Sequence, residues 1–105
     1  MKVFISGPYT APTPEEVDAN IDRARDACAD LISRGHTPFC PQTMTGGLER
    51  THPGVPGARY GEIDLEWLRE CDWIFMLRGW ENSPGCKVEL ALAKELGLVI
   101  KEQWQ

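Results

Sequence analysis

The sequence has 105 residues, of which 42% are hydrophobic and 26% charged, and a formal net charge of −5 at pH 7. That length is one domain with a modest core. The acidic balance argues against a broad nucleic-acid face, which needs a basic stripe, and no stretch approaches the roughly 18 unbroken apolar residues of a membrane span.

Lys2 to Ser6 is a short apolar run ending in Gly7-Pro8, which predicts a strand followed by a turn. No apolar leader stands before it, so the cytoplasm is the expected location. A helix start follows: Thr13 as N-cap, Pro14 at the first helical position and Glu16 completing a capping box. Val17, Ile21, Ala24, Cys28, Leu31 and Ile32 recur at helical spacing, and Gly35 ends the helix. His36 to Cys40 predicts a second strand, weakened by Pro38.

From Pro41 to Ala58 the chain holds four glycines and three prolines, which predicts a long loop suited to binding or to closing over a site. A helix is expected from Arg59 to Cys71, with Tyr60, Ile63, Leu68 and Cys71 on one side. Asp72 to Leu77 barely alternates, so it predicts a strand buried on both faces at the sheet centre. Arg78 to Asn82 reads as a loop. Ser83-Pro84 repeats the cap-plus-proline start of a helix running to Gly97, and Leu98 to Ile100 is the last strand.

The alternation of strands and helices predicts a single-domain α/β, flavodoxin-like or Rossmann-like three-layer sandwich, with a parallel sheet of four to five strands and right-handed crossovers. In such a sheet, ligands bind beyond the carboxyl ends of the strands. Those ends, Ser6 to Thr10, Cys40 onward and Arg78 to Ser83, are also rich in glycine, proline, aromatic and hydroxyl residues.

Cys28, Cys40, Cys71 and Cys86 form no CxxC pair and have no histidine at zinc spacing, so no metal is expected. The remaining candidates each have an ordinary reading beside a functional one. Ser83 caps a helix, or presents its hydroxyl at the positive end of a helix dipole. Glu89 is an exposed helix residue, or a carboxylate that apolar neighbours make functional. Asp64 belongs to a solvated charge run, or pairs with Glu89 in cleaving a glycosidic bond. Tyr9 lines a cleft or covers the core, Trp80 is a base-stacking platform or an edge residue, and His52 is a loop histidine able to titrate near neutral pH.

An ordered set of motifs goes further. Phe4-Ile5-Ser6-Gly7-Pro8-Tyr9, Asp64-Leu65-Glu66-Trp67-Leu68, Cys71-Asp72-Trp73-Ile74-Phe75, Ser83-Pro84-Gly85 and Glu89-Leu90-Ala91-Leu92-Ala93 with Gly97 resemble the nucleoside 2-deoxyribosyltransferase-like superfamily. Within it the chain is similar to small phage and bacterial members and to 2'-deoxynucleoside 5'-monophosphate N-hydrolases. The resemblance implies that Glu89 attacks the anomeric carbon to form a glycosyl-enzyme, that Asp64 binds the sugar and helps protonate the departing base, and that Tyr9 hydrogen-bonds Glu89. Ser83, where the transferases tend to carry an aspartate, implies a hydrolase that contacts a 5'-phosphate. Gly7, Asn82 and Gly85 join it in the expected substrate-binding set, with Trp80 as a stacking partner for the base.

The implied reaction needs no metal or organic cofactor. The implied partner is a small nucleoside or nucleotide, with no nucleic-acid polymer and no membrane. Because neighbouring subunits usually complete such sites, a homodimer or larger homo-oligomer is also implied. Base exchange as a 2-deoxyribosyltransferase, and a non-catalytic nucleotide-binding or sensing module, are the alternative readings.

Overall fold

In a computed structural model of the chain, which describes residues 1–103, four strands form one parallel sheet. They are β1 (Lys2–Ser6), β2 (Thr37–Phe39), β3 (Trp73–Met76) and β4 (Val99–Glu102), in the spatial order β2-β1-β3-β4. The helices are α1 (Pro14–Ser33), two short ones, α2 (Pro41–Thr45) and α3 (Leu48–Thr51), then α4 (Gly57–Leu68) and α5 (Pro84–Leu96). A 3-10 turn spans Trp80–Asn82. The expected α/β class and parallel sheet are present, with four strands.

The chain leaves β1 toward β2, then crosses back to β3 and continues to β4. That reversal puts the topological switch point between the carboxyl ends of β1 and β3, where ligands of open parallel sheets bind. Register places Ser6 beside Met76 and Phe4 beside Ile74. Strand alternation then sorts side chains by face. Val3 and Ile5 pack with Ala24, Ala27 and Leu31 of α1. Phe4, Ile74 and Met76 pack with Leu68 of α4 and with Cys86 and Ala93 of α5. Ser6 shares the parity of Phe4, which turns its side chain toward α5.

Both predicted caps form. Thr13 Oγ1 accepts from the Glu16 N–H at 3.2 Å, and Ser83 Oγ accepts from the Cys86 N–H at 3.3 Å. Gly97, at φ 73°, closes α5 in the left-handed conformation that glycine adopts cheaply.

Four expectations need correction. Residues 41–58 are not a structureless loop: Pro41 starts α2, Gly47 at φ 85° starts α3, and α4 begins at Gly57. Because α4 ends at Leu68, Cys71 lies beyond it in the turn to β3. The buried line of α1 is Asn20, Ala24, Ala27 and Leu31, while Ile32 is 58% exposed. Asn20 belongs to that line because its Nδ2 donates to the Tyr9 carbonyl at 2.9 Å and its Oδ1 accepts from Arg23. The strand buried without a break is β1 from Val3 to Ser6, not β3, whose Trp73 and Phe75 remain half-covered.

Candidate active site

A cleft of about 890 Å³ opens at the switch point. Its floor is the turn after β1, and one wall is formed by α2 and α3. The other wall is formed by α4 and the start of α5. Gly7 lets the floor pack closely on Leu77, since a Cβ there would stand 2.7 Å from Leu77 Cδ1 and the leucine side chain would have to shift. Of the residues expected from the sequence, Glu89, Asp64, Tyr9, Ser83, Gly7, Asn82 and Gly85 all line this cleft.

Glu89 sits on the second turn of α5, facing the sheet. Ser6 Oγ–H donates to Glu89 Oε1 at 2.6 Å, and Ser6 is itself 1% exposed. Burial pushes the Glu89 carboxyl up to about 7; the Asp64 charge pushes the same way and the Ser6 bond opposes. Asp64, on α4, is raised to about 6 by burial, and its Oδ1 is buried with no hydrogen-bond partner among the described residues. The helices before and after β3 thus bring two carboxyls into one cleft, both poised close to neutrality. A second cavity of about 220 Å³, between α4 and α5, is bordered by the same two carboxyls.

Tyr9 does not hold Glu89. Its hydroxyl donates to Glu49 Oε1 at 2.5 Å and accepts from the Gly47 N–H at 2.8 Å, so it ties the turn after β1 to the α2–α3 wall. The odd-numbered side of the strand points away from α5, and Tyr9 lies past the strand end. Ser6 occupies the place expected for Tyr9. Its signal was in the sequence: a polar residue at the carboxyl end of a buried strand, on the parity that faces the helices.

Trp80 is not among the cleft-lining residues. It packs against the core on the α4–α5 face, and its indole N–H donates to Glu102 Oε1 at 2.9 Å. A left-handed Gly79, at φ 91°, reverses the chain after β3 and turns the indole toward β4. His52 is exposed, lies outside the cleft and pairs through Nδ1 with Thr51 Oγ1 at 2.9 Å.

Two more residues belong to the cleft and were not expected to act there. Gln42, 8% exposed, donates from Nε2 to the carbonyls of Gly7 and Pro8 at 2.8 and 2.9 Å. Tyr60, one turn before Asp64 on α4, has a buried hydroxyl with no partner among the described residues. Beside the nucleophile candidate, Cys86 is 2% exposed, and burial raises its thiol. No group of three or more metal-ligating side chains stands together among the described residues.

A family model described as "Domain of unknown function (DUF4406)" matches residues 1–102. No curated protein matches the chain. A solved 2-desoxiribosyltransferase from Leishmania mexicana shares the fold, with a TM-score of 0.65 at 20% identity over 96% of this chain. A Clostridium botulinum CMP N-glycosidase, BcmB, does so with a TM-score of 0.61 at 19% identity over 97% of this chain. The chain spans 62% of the length of the first and 67% of the second. At the level of fold, the expected resemblance to the nucleoside 2-deoxyribosyltransferase-like superfamily holds.

Proposed function

We propose that this chain, which belongs to the DUF4406 family, cleaves the N-glycosidic bond of a nucleoside or nucleotide through a Glu89 nucleophile. The observation that carries the reading is the pair Glu89 and Asp64, two partly buried carboxyls from helices flanking one strand, facing one cleft with pKa values raised toward neutrality. Paired carboxyls are what displacement at an anomeric carbon uses. The two solved proteins of the same fold, named a 2-desoxiribosyltransferase and a CMP N-glycosidase, support the same chemistry.

The ionised Glu89 attacks the anomeric carbon, forming a C–O bond as the C–N bond breaks. The electron pair of that bond leaves on the base nitrogen, and the base takes a proton from Asp64. Water then attacks the same carbon, its proton passes to Asp64, and Glu89 leaves as the carboxylate. Transfer differs only in that a second base replaces the water. Hydrolysis is the form adopted here, because a small cavity between α4 and α5 borders both carboxyls and has room for water. Ser6 is a positioning residue in this scheme: it holds Oε1 and leaves Oε2 for the attack.

A homodimer or larger assembly belongs to the proposal. Trp67 on α4 and Val88 and Leu96 on α5 are 47%, 55% and 39% exposed, apolar area that a second copy would cover. Sedimentation of the purified chain tests that part. A cytoplasmic location is proposed with it; no helix among the described residues is long and apolar enough to cross a membrane.

The test of the activity is chromatography after incubation with nucleosides and 5'-monophosphates, with and without an added acceptor base. Free base without acceptor, lost in Glu89→Ala, is the expected result. Base release only with acceptor makes the chain a transferase. No release from any substrate refutes the catalytic reading and leaves a binding module.

A further inference from the structure

We infer that Cys86 is a positioning residue for this site: its thiol donates to Ser6 Oγ, and so turns the single hydroxyl proton of Ser6 onto Glu89. The inference deepens the glycosidic reading, because Glu89 is the nucleophile proposed there. The hydrogen-bond chain itself holds or fails without that reading.

Three placements converge on the contact. Cys86 and Glu89 stand three residues apart on α5, so their side chains leave the helix on one face. Ser6 ends β1 on the parity of Phe4, beside Met76 of β3. Cys86 packs with Phe4, Ile74 and Met76, which brings its thiol to the side of the sheet where the Ser6 hydroxyl points. The two side chains come within hydrogen-bonding reach, and the Ser83 hydroxyl reaches the sulfur from the helix cap. Ser6 Oγ is at the same time 2.6 Å from Glu89 Oε1.

The direction of donation follows from what each group can do. An ionised carboxylate only accepts, a hydroxyl has one proton and two lone pairs, and a thiol is a weak donor and a weak acceptor. Glu89 therefore takes the Ser6 proton once it is ionised, and the sulfur does not compete for it. That leaves the Ser6 oxygen an acceptor in a place closed to water, since Ser6 is 1% and Cys86 2% exposed. The thiol has a proton to give. Burial raises its pKa and the Glu89 charge adds to that, while the bonds to Ser6 and Ser83 oppose. The resulting chain runs from S–H to O–H to carboxylate, each bond polarising the next. Its effect is to fix the Ser6 hydroxyl on Oε1 and leave Oε2 for the attack.

A spectroscopic measurement tests the chain. The S–H stretching band lies clear of other protein absorptions and falls in frequency when the thiol donates. Subtracting the infrared spectrum of Cys86→Ala from that of the wild type isolates the Cys86 band from those of Cys28, Cys40 and Cys71. The expected band lies at the low frequency of a bonded thiol and moves up in the Ser6→Ala background. A wild-type band at the free-thiol frequency overturns the inference, even where Ser6→Ala does not fold. So does a band that Ser6→Ala leaves in place, which would mean a thiol donating to Ser83.

Kinetics test the consequence. Cys86→Ala should lower kcat about 3- to 10-fold, the effect of one weak hydrogen bond, with KM little changed. Cys86→Ser should recover most of the loss, because a hydroxyl also donates to Ser6. A packing role predicts the opposite order, since serine is the more polar residue in an apolar cluster. In the Ser6→Ala background, Cys86→Ala should lower kcat less than about twofold further. Unchanged kcat in Cys86→Ala, no recovery in Cys86→Ser, or the full loss in the Ser6→Ala background overturns the inference and leaves the catalytic reading standing. If the wild type cleaves nothing, the catalytic reading fails and the infrared band decides the chain alone.

Discussion

Replacing Glu89 with glutamine should abolish turnover and make the protein more stable at neutral and alkaline pH. Glutamine keeps the shape and can still accept the Ser6 hydroxyl, so the change removes little but the charge. The folded chain holds the Glu89 proton up to about pH 7, whereas an ordinary glutamate releases it near 4.5. Between those values unfolding releases a proton, so the wild-type contribution to stability falls as pH rises from 4.5 to 7 and stays low above that. At roughly 1.4 kcal/mol per pH unit, keeping Glu89 ionised in the fold costs about 3 kcal/mol. For a chain of this length that is a rise in Tm of roughly 12 °C or more at pH 8. At pH 5 most of the difference should be gone, because the folded wild type is then protonated and as neutral as the variant. Thermal melts of both proteins at the two pH values, with an activity assay beside them, test this. An unchanged Tm at pH 8, or the same difference at both pH values, would refute the view that Glu89 is a buried charge held against its own solvation for function.

Three further predictions follow from the site. Attack needs Glu89 ionised and base departure needs Asp64 protonated, so kcat/KM should be bell-shaped with limbs near 6 and 7 belonging to the pair. A single limb rising through 7 and then flat would remove Asp64 as the acid. Ser6→Ala should lower kcat by roughly 10- to 100-fold, the worth of a charge-assisted hydrogen bond, with KM little changed. The higher of the two limbs should move up in pH, because the Ser6 bond now lowers the Glu89 value, and a merely structural serine would not move it. Gly61→Ala, in the middle of α4, meets nothing within 4 Å and should stabilise the fold by about 1 kcal/mol. Since Gly61 lines both cavities at the carboxyl pair, the same variant should lose substrate affinity; unchanged KM would show that the ligand does not approach α4 there.

Much of the architecture was legible in local chemistry. Thr13-Pro14 and Ser83-Pro84 declare helix starts because an oxygen cap and a proline without an N–H satisfy the same local requirement wherever they occur. The run Lys2 to Ser6 before Gly7-Pro8 declares a strand and a turn, but that this strand and not Asp72 to Leu77 is the more deeply buried one was settled by packing. The same chemistry places Glu89 and Asp64 on helices around one strand, and the family resemblance then selects them from a sequence rich in carboxylates.

What the sequence could not supply were facts set by packing between distant segments. Residues 41–51 form α2 and α3 because Gln42 bonds to the turn after β1 and Tyr9 bonds to Gly47 and Glu49, partners some 35 to 40 residues away in the chain. Glycine and proline content speaks only for the local backbone, and so it reads as loop. Trp80 leaves the cleft because Glu102, on an edge strand, accepts its N–H. The partner of Glu89 was decided the same way. Strand parity, fixed when β1 took its register between β2 and β3, turned Ser6 toward α5, and the burial that raises the Glu89 pKa exists only once sheet and helix close over it. A residue's type and spacing are properties of the chain, but its desolvation and its partner are properties of the fold.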